Sequence, residues 1–180
     1  MPKQLLVFSS FVDRLNDRFG VLASWLVLLA VLVSTANALI RYGFNVSSNG
    51  WLEAQWYLFA GMVMFGAATT FRLNEHVRVD VLYAMYPNKV RLWLDLCGGI
   101  VFFLPVTIVI GYYSWEFFIT SVIQNETSSN PGGLIRWPVR GAITLGFFLL
   151  TLQGLSEIVK RYAAIIGVIK IDPKYERPLQ

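Results

Sequence analysis

Aspartate, glutamate, lysine and arginine are absent from four stretches, residues 19–40, 54–71, 96–115 and 141–156, which together hold 76 of the 180 residues. Even scattering would have placed about eleven charged residues there. At 1.5 Å per helical residue the stretches reach roughly 24 to 33 Å, a match to a hydrocarbon core of about 30 Å once the shortest is extended by its flanks. The pattern predicts an all-α polytopic membrane protein. Its single membrane domain, residues 1–180, has four transmembrane helices at about 19–41, 52–72, 93–117 and 138–160. The first apolar run is too long for the core of a signal peptide, and no small-residue cleavage pattern follows before Arg41, so it is expected to stay in the mature protein.

The segments between the spans refine this picture. Residues 1–18 mix Leu5, Leu6, Phe8, Phe11, Val12 and Leu15 with Asp13, Arg14, Asp17 and Arg18. Two readings fit: a separate amphipathic helix on the membrane surface, or a plain extension of span one. Pro87 suits the first turn of a helix, and Val90, Trp93, Leu94 and Cys97 follow at helical spacing, so span three is expected to begin early and run long. Ser128, Ser129, Asn130, Pro131, Gly132 and Gly133 must turn the chain before Trp137 and Pro138 open span four. Pro105 is expected to kink span three. Ala30, Ser34 and Ala38 recur every four residues, with Asn37 and Arg41 on the same face. Glu53, Tyr57, Ala60, Gly61, Met64 and Ala68 form a similar stripe on span two. Such stripes let helices approach closely, either inside the bundle or against another membrane subunit.

Composition agrees with a membrane solvent. Apolar residues make up 56% of the chain and charged ones 14%, with a mean hydropathy of +0.55, against about 25% charged in soluble domains. Placing both termini in the cytoplasm puts 12 of the 15 Lys and Arg residues inside and leaves Arg41, Arg136 and Arg140 outside, as the positive-inside rule requires. Trp51, Trp56, Trp115 and Trp137 then fall near the outer headgroups. The isoelectric point near 9.3 reflects this flanking charge, so no nucleic-acid partner is expected; membrane lipids are.

The same pattern excludes most chemistry. No Asp, Glu, Lys, Arg or His lies in the four charge-free cores, and Pro105 has no mirrored counterpart, so a self-sufficient pump is not expected. His76 is the only histidine and lies between spans, which leaves no pair to ligate haem. Cys97, the single cysteine, sits beside Gly98 and Gly99 and reads as a small packing residue. No nucleophile has a base at membrane depth. The chain is therefore not expected to be an enzyme, and no catalytic, cofactor or metal residue is assigned. Arg41 and Glu53 end one helix and begin the next on the outer side, and a tight hairpin would let them pair. His76, Arg78 and Asp80 alternate with valines and would share one face of an extended segment.

Taken together, several motifs resemble the small membrane subunit of tripartite ATP-independent periplasmic (TRAP) transporters. They are Arg41 followed by Trp51 and Glu53; Arg72 followed by His76-Val77-Arg78-Val79-Asp80; Asn130-Pro131-Gly132-Gly133-Leu134, then Trp137-Pro138; and Leu152-Gln153-Gly154. The second outer loop is similar to that of the longer-loop subgroup, and the resemblance covers residues of roughly 20 to 162. It implies a bacterial or archaeal inner membrane. It also implies a large membrane subunit that this chain braces and a periplasmic solute-binding protein that delivers an organic acid. Transport would be secondary, driven by an ion gradient that is commonly sodium. Arg41, Glu53, Arg72, His76, Arg78, Asp80, Trp137, Ala30 and Ser34 are the residues expected to serve the partner interface or the structure. Two other classes remain at this stage: an orphan four-helix channel or carrier lined by Asn37, Thr107, Thr151 and Gln153, and the membrane anchor of a redox enzyme.

Overall fold

The computed structural model describes residues 2–46, 48–75, 83 and 85–169. They form four long helices: α1 (Pro2–Phe44), α2 (Asn49–Leu73), α3 (Asn88–Ile123) and α4 (Trp137–Ile165). The described residues contain no strand, only an isolated bridge between Thr127 and Ile135. By length and composition α1, α3 and α4 could each cross a membrane. α2 is long enough at 25 residues, but Gln55, Tyr57, Gly61, Gly66, Thr69 and Thr70 dilute its apolar character.

No proline or glycine pair interrupts residues 2–44, so α1 is one unbroken helix of 43 residues, about 64 Å long. This settles the two readings of residues 1–18 in favour of an extension of the first apolar helix. α2 ends in a left-handed Asn74, whose N–H bonds the Phe71 carbonyl while that of Glu75 bonds Thr70. α3 starts directly after Pro87, and α4 starts at Trp137 with Pro138 in its first turn, both near the expected places. Within α3, residues Gly99–Phe103 form a π turn immediately before Pro105. Proline lacks the N–H that an α-helix would use here, and one wider turn accommodates the missing donor without breaking the helix.

α4 is the hub. It packs against α1, α2 and α3, while α1 and α2 pack against each other. The buried positions trace seams: Ser9, Val12, Asn16, Ala23 and Ala30 on α1, and Gly146, Leu149, Gln153, Ser156 and Ala163 on α4. Thr107, Ser114 and Ser121 on α3 lie seven residues apart. This alternation of three and four is the period of left-handed helix packing, and most of its members are small. The seam on α1 therefore drifts off the four-residue stripe suggested by the sequence: Ala30 is buried, Ser34 half-buried and Ala38 exposed. Cys97 is exposed too, contrary to its reading as a packing residue. The close approach at that level uses Gly99, against Ile158 of α4.

Glycines set two other crossings. A Cβ on Gly146 would lie 2.9 Å from the Met64 carbonyl oxygen on α2, and one on Gly154 would lie 2.5 Å from the Phe103 ring in the π turn. Phe103 also stacks on Phe71 of α2, ring centres 4.2 Å apart. Gly146→Val should thus lower stability in detergent by about 2 kcal/mol, because backbone cannot move aside as a side chain can. Gly98→Ala, with nothing near its added methyl, should be neutral or slightly stabilising in the same thermal-unfolding measurement.

Candidate functional site

Polar side chains gather at the two ends of the helices, labelled inner and outer after the orientation expected from the charge pattern. The inner cluster begins where α1 crosses α4. Ser9 and Ser156 bring their hydroxyls together, and the Ser9 hydroxyl also contacts the Ser156 carbonyl at 3.2 Å. One turn further along α1, Asp13 accepts from Gln153 Nε2 at 2.9 Å and from Lys160 Nζ at 2.8 Å. Asn16 Nδ2 donates to Gln153 Oε1 at 2.6 Å, so the Gln153 amide binds α1 through both of its ends. Lys160 is shared with Glu157 at 2.8 Å, and Glu157 also takes Arg161, whose Nε lies 3.3 Å from Asp95 on α3. The Tyr83 hydroxyl reaches the same Asp95 oxygen at 3.0 Å.

α2 joins through Thr69, which donates to the Asn16 carbonyl at 2.7 Å and fits against Gly20, where a Cβ would lie only 2.7 Å from its hydroxyl. Arg72 ends α2 in an ion pair with Asp17. Asn16, Gln153 and Ser156 are fully buried. Asn16 Oδ1 and Arg72 Nε are buried without a partner. The paired charges are arranged so that Lys160 and Arg161 on α4 offset Asp13, Glu157 and Asp95, drawn from three helices.

The outer cluster is built on Glu53. This buried carboxylate in the first turns of α2 accepts from the Ser128 hydroxyl, from Asn130 Nδ2 at 2.8 Å and from the Leu134 backbone N–H at 2.7 Å. It anchors a short hairpin, residues 126–136, closed by Ser128 N–H to Leu134 at 2.9 Å and Arg136 N–H to Glu126 at 2.8 Å. Gly132, with φ of +72°, makes the turn that an L side chain resists. Gly133 leaves room for Ser128, which an added Cβ would overlap at 2.4 Å. The Pro131 carbonyl accepts from Asn49, and the Ile135 carbonyl accepts from Tyr57. Glu126 holds the other end through a two-pronged contact with Arg140, at 2.5 and 2.7 Å, and through Arg136 at 3.2 Å.

This geometry corrects the expected pairing of Arg41 with Glu53. Both Glu53 oxygens are engaged by the hairpin, and Arg41, exposed at the end of α1, has no ion pair among the described residues. Trp137 is exposed at the start of α4, and Arg72 has its place in the inner cluster. His76, Arg78 and Asp80 lie outside the described residues. Sequence reasoning missed Asp13, Asn16, Asp95, Glu157, Lys160 and Arg161. The available signal was Gln153, Ser156, Glu157 and Lys160 recurring every three or four residues on one face of an apolar helix.

In both clusters each carboxylate accepts from protein donors. No group of three or more metal-binding side chains occurs among the described residues. An open groove of about 470 Å³ between α3 and α4 is lined by Gly98, Phe102, Phe103, Val106, Thr107, Phe147 and Leu150, with no ionisable group.

Comparison with known proteins places this arrangement. Residues 30–164 match the family described as tripartite ATP-independent periplasmic transporters, DctQ component. The chain is 31% identical over 123 residues to the C4-dicarboxylate TRAP transporter small permease protein DctQ of Vibrio cholerae, covering 67% of this chain and 52% of that protein. It is 39% identical over 79 residues to a provisionally named TRAP transporter small permease protein of Haemophilus influenzae, covering 43% and 48%. The chain thus spans about half the length of each of these relatives. No solved structure matches it. The family match takes in the outer cluster and Gln153, and leaves Ser9, Asp13 and Asn16 outside.

Two outcomes test the clusters. Lys160→Met leaves Asp13 and Glu157 facing each other without an ammonium. At about one-fifth exposure this should cost about 2 kcal/mol in detergent unfolding, less than for a fully buried pair. Adding Asp13→Asn should recover part of the loss, as a double-mutant cycle would show. Glu53→Gln should speed hydrogen exchange of residues 126–136 about ten-fold, because the amide replaces an oxygen acceptor for the Leu134 N–H or the Ser128 and Asn130 donors. Arg41→Gln should leave that exchange unchanged.

Proposed function

Because the chain belongs to the DctQ component family of tripartite ATP-independent periplasmic transporters, we propose that it is a small membrane subunit that braces the static scaffold of a large transport subunit. The observation that carries this reading is the use of its polar groups. Buried Glu53, Gln153 and Ser156 tie one part of this chain to another, and Glu157 holds Lys160 and Arg161 of its own helix where they meet Asp13 and Asp95. A subunit whose polar residues hold its own helices in register is suited to being a rigid support. Exposed apolar side chains cover the outside of α1 and α3, surface that needs lipid or a partner.

The partners in this reading are the large TRAP membrane subunit and a periplasmic solute-binding protein, in a bacterial or archaeal inner membrane. Transport is secondary and driven by an ion gradient, with sodium the favoured ion. The substrate class is an organic acid, a choice supported by the C4-dicarboxylate in the name of the Vibrio cholerae relative. All four helices cross the membrane at about 19–41, 52–72, 93–117 and 138–160, and both termini are cytoplasmic. The Glu53 hairpin is then periplasmic and the Gln153 cluster lies at the cytoplasmic boundary. Arg41 and the segment with His76, Arg78 and Asp80 are proposed to face the large subunit. A channel formed by this chain alone is disfavoured. Thr107 and Thr151 donate to carbonyls of their own helices, and Gln153 is held by Asn16 and Asp13.

Deleting the chain should abolish organic-acid uptake by the whole assembly, while the purified chain alone in liposomes should move neither substrate nor ions. Uptake that persists without it would remove the essential-support role. On a Cys97→Ser background, an impermeant maleimide added from the periplasmic side should label Ser129→Cys but not Lys3→Cys. The reverse pattern would overturn the topology.

A further inference from the structure

The outward face of α1 carries an unused pair of cations. Among the inner charged groups, Arg72 is neutralised by Asp17, Lys160 by Asp13 and Glu157, and Arg161 by Glu157 and Asp95. Arg14 and Arg18 are exposed and have no acidic partner among the described residues. They are four residues apart, which puts their side chains on neighbouring turns, roughly 6 Å between Cβ atoms.

Their setting is apolar. Val7, Phe11, Val21, Trp25, Leu28 and Leu32 continue the same stripe at spacings of three and four, opposite the buried seam, with Phe11 65% and Trp25 60% exposed. Arg18 and Arg41 bracket the charge-free part of α1. Their separation of 23 residues is about 34 Å, enough to place one at each face of a core of about 30 Å. Arg14 and Arg18 therefore sit at headgroup depth, with aromatic and aliphatic side chains on both sides along the helix.

We propose that Arg14 and Arg18 bind the headgroup of an anionic phospholipid, with a lipid carrying two phosphates, such as cardiolipin, as the best match. Two guanidinium groups on adjacent turns present planar donor pairs to phosphate oxygens, a geometry that arginine fulfils better than lysine. Trp25 and Val21, one to two turns deeper, are placed to lie along the acyl chains. A zwitterionic headgroup offers its phosphate with a cation attached and loses the net attraction.

The test uses the full chain, purified in detergent and titrated separately with cardiolipin and phosphatidylcholine while bound lipid is counted by native mass spectrometry. The wild type should hold one cardiolipin at least ten-fold more tightly than phosphatidylcholine. Arg14→Gln with Arg18→Gln should remove that preference, and Arg14→Lys with Arg18→Lys should weaken it several-fold. Arg41→Gln, at the far end of the same helix, should leave it intact. Equal retention of the two lipids by the wild type, or an unchanged preference in the double glutamine variant, would overturn the proposal. So would displacement of cardiolipin by millimolar inorganic phosphate, which would mean a simple anion site. If the arginines instead meet an acidic segment of the large subunit, the double glutamine variant will lose copurification while keeping its lipid preference, and that too overturns it. The lipid titrations use the isolated chain, so their outcome is independent of the transporter assignment.

Discussion

In a hydrocarbon solvent the hydrophobic effect cannot hold helices together, because a leucine facing lipid is as well placed as one facing another helix. What remains is close van der Waals approach and hydrogen bonding between side chains that have no water to turn to. This chain relies on both. Its buried positions are largely Ala, Gly, Ser and Thr, while Trp, Phe, Val and Leu are mostly outside. The large apolar residues fill the space toward lipid and partner, and the small ones decide which helices touch.

α4 illustrates how one element can organise the rest. Gly146 lets the α2 backbone approach, Gly154 receives Phe103 from the π turn of α3, and Gln153 between them ties α1 with both ends of its amide. The two cations that follow, Lys160 and Arg161, extend the same face toward Asp13 and Asp95. Each contact is modest alone. Together they fix α4 against three neighbours, and their part-buried ion pairs are less screened than pairs on an open surface.

The outer end follows a different logic. The hairpin at residues 126–136 has little apolar material of its own, so it cannot fold by burial. It is held instead by one carboxylate, Glu53, that satisfies a hydroxyl, an amide and a backbone N–H. This places the loop over the start of α2 and gives that end of the helices a defined shape. A rigid inner cluster and a tethered outer loop suit a subunit whose proposed task is to stay still while a partner moves.

The amino-acid sequence by itself determined the four long helices, the absence of Asp, Glu, Lys, Arg and His from their charge-free stretches and the family. Each of these depends on composition or order along the chain, which a membrane solvent reads almost directly. The long α3, the helix start at Trp137 and the small-residue stripe on α2 were legible for the same reason. Pairings between distant residues were not. Arg41 and Glu53 are close in sequence, yet Glu53 is claimed by Ser128 and Asn130, 75 and 77 residues away, because the hairpin folds over the start of α2 and its donors occupy both carboxylate oxygens. Asp13 and Lys160, 147 residues apart, meet only because α1 continues unbroken past the apolar core and crosses α4 there. The direction in which each helix turns its polar residues depends on packing summed over all four helices, and only the tertiary structure decides it.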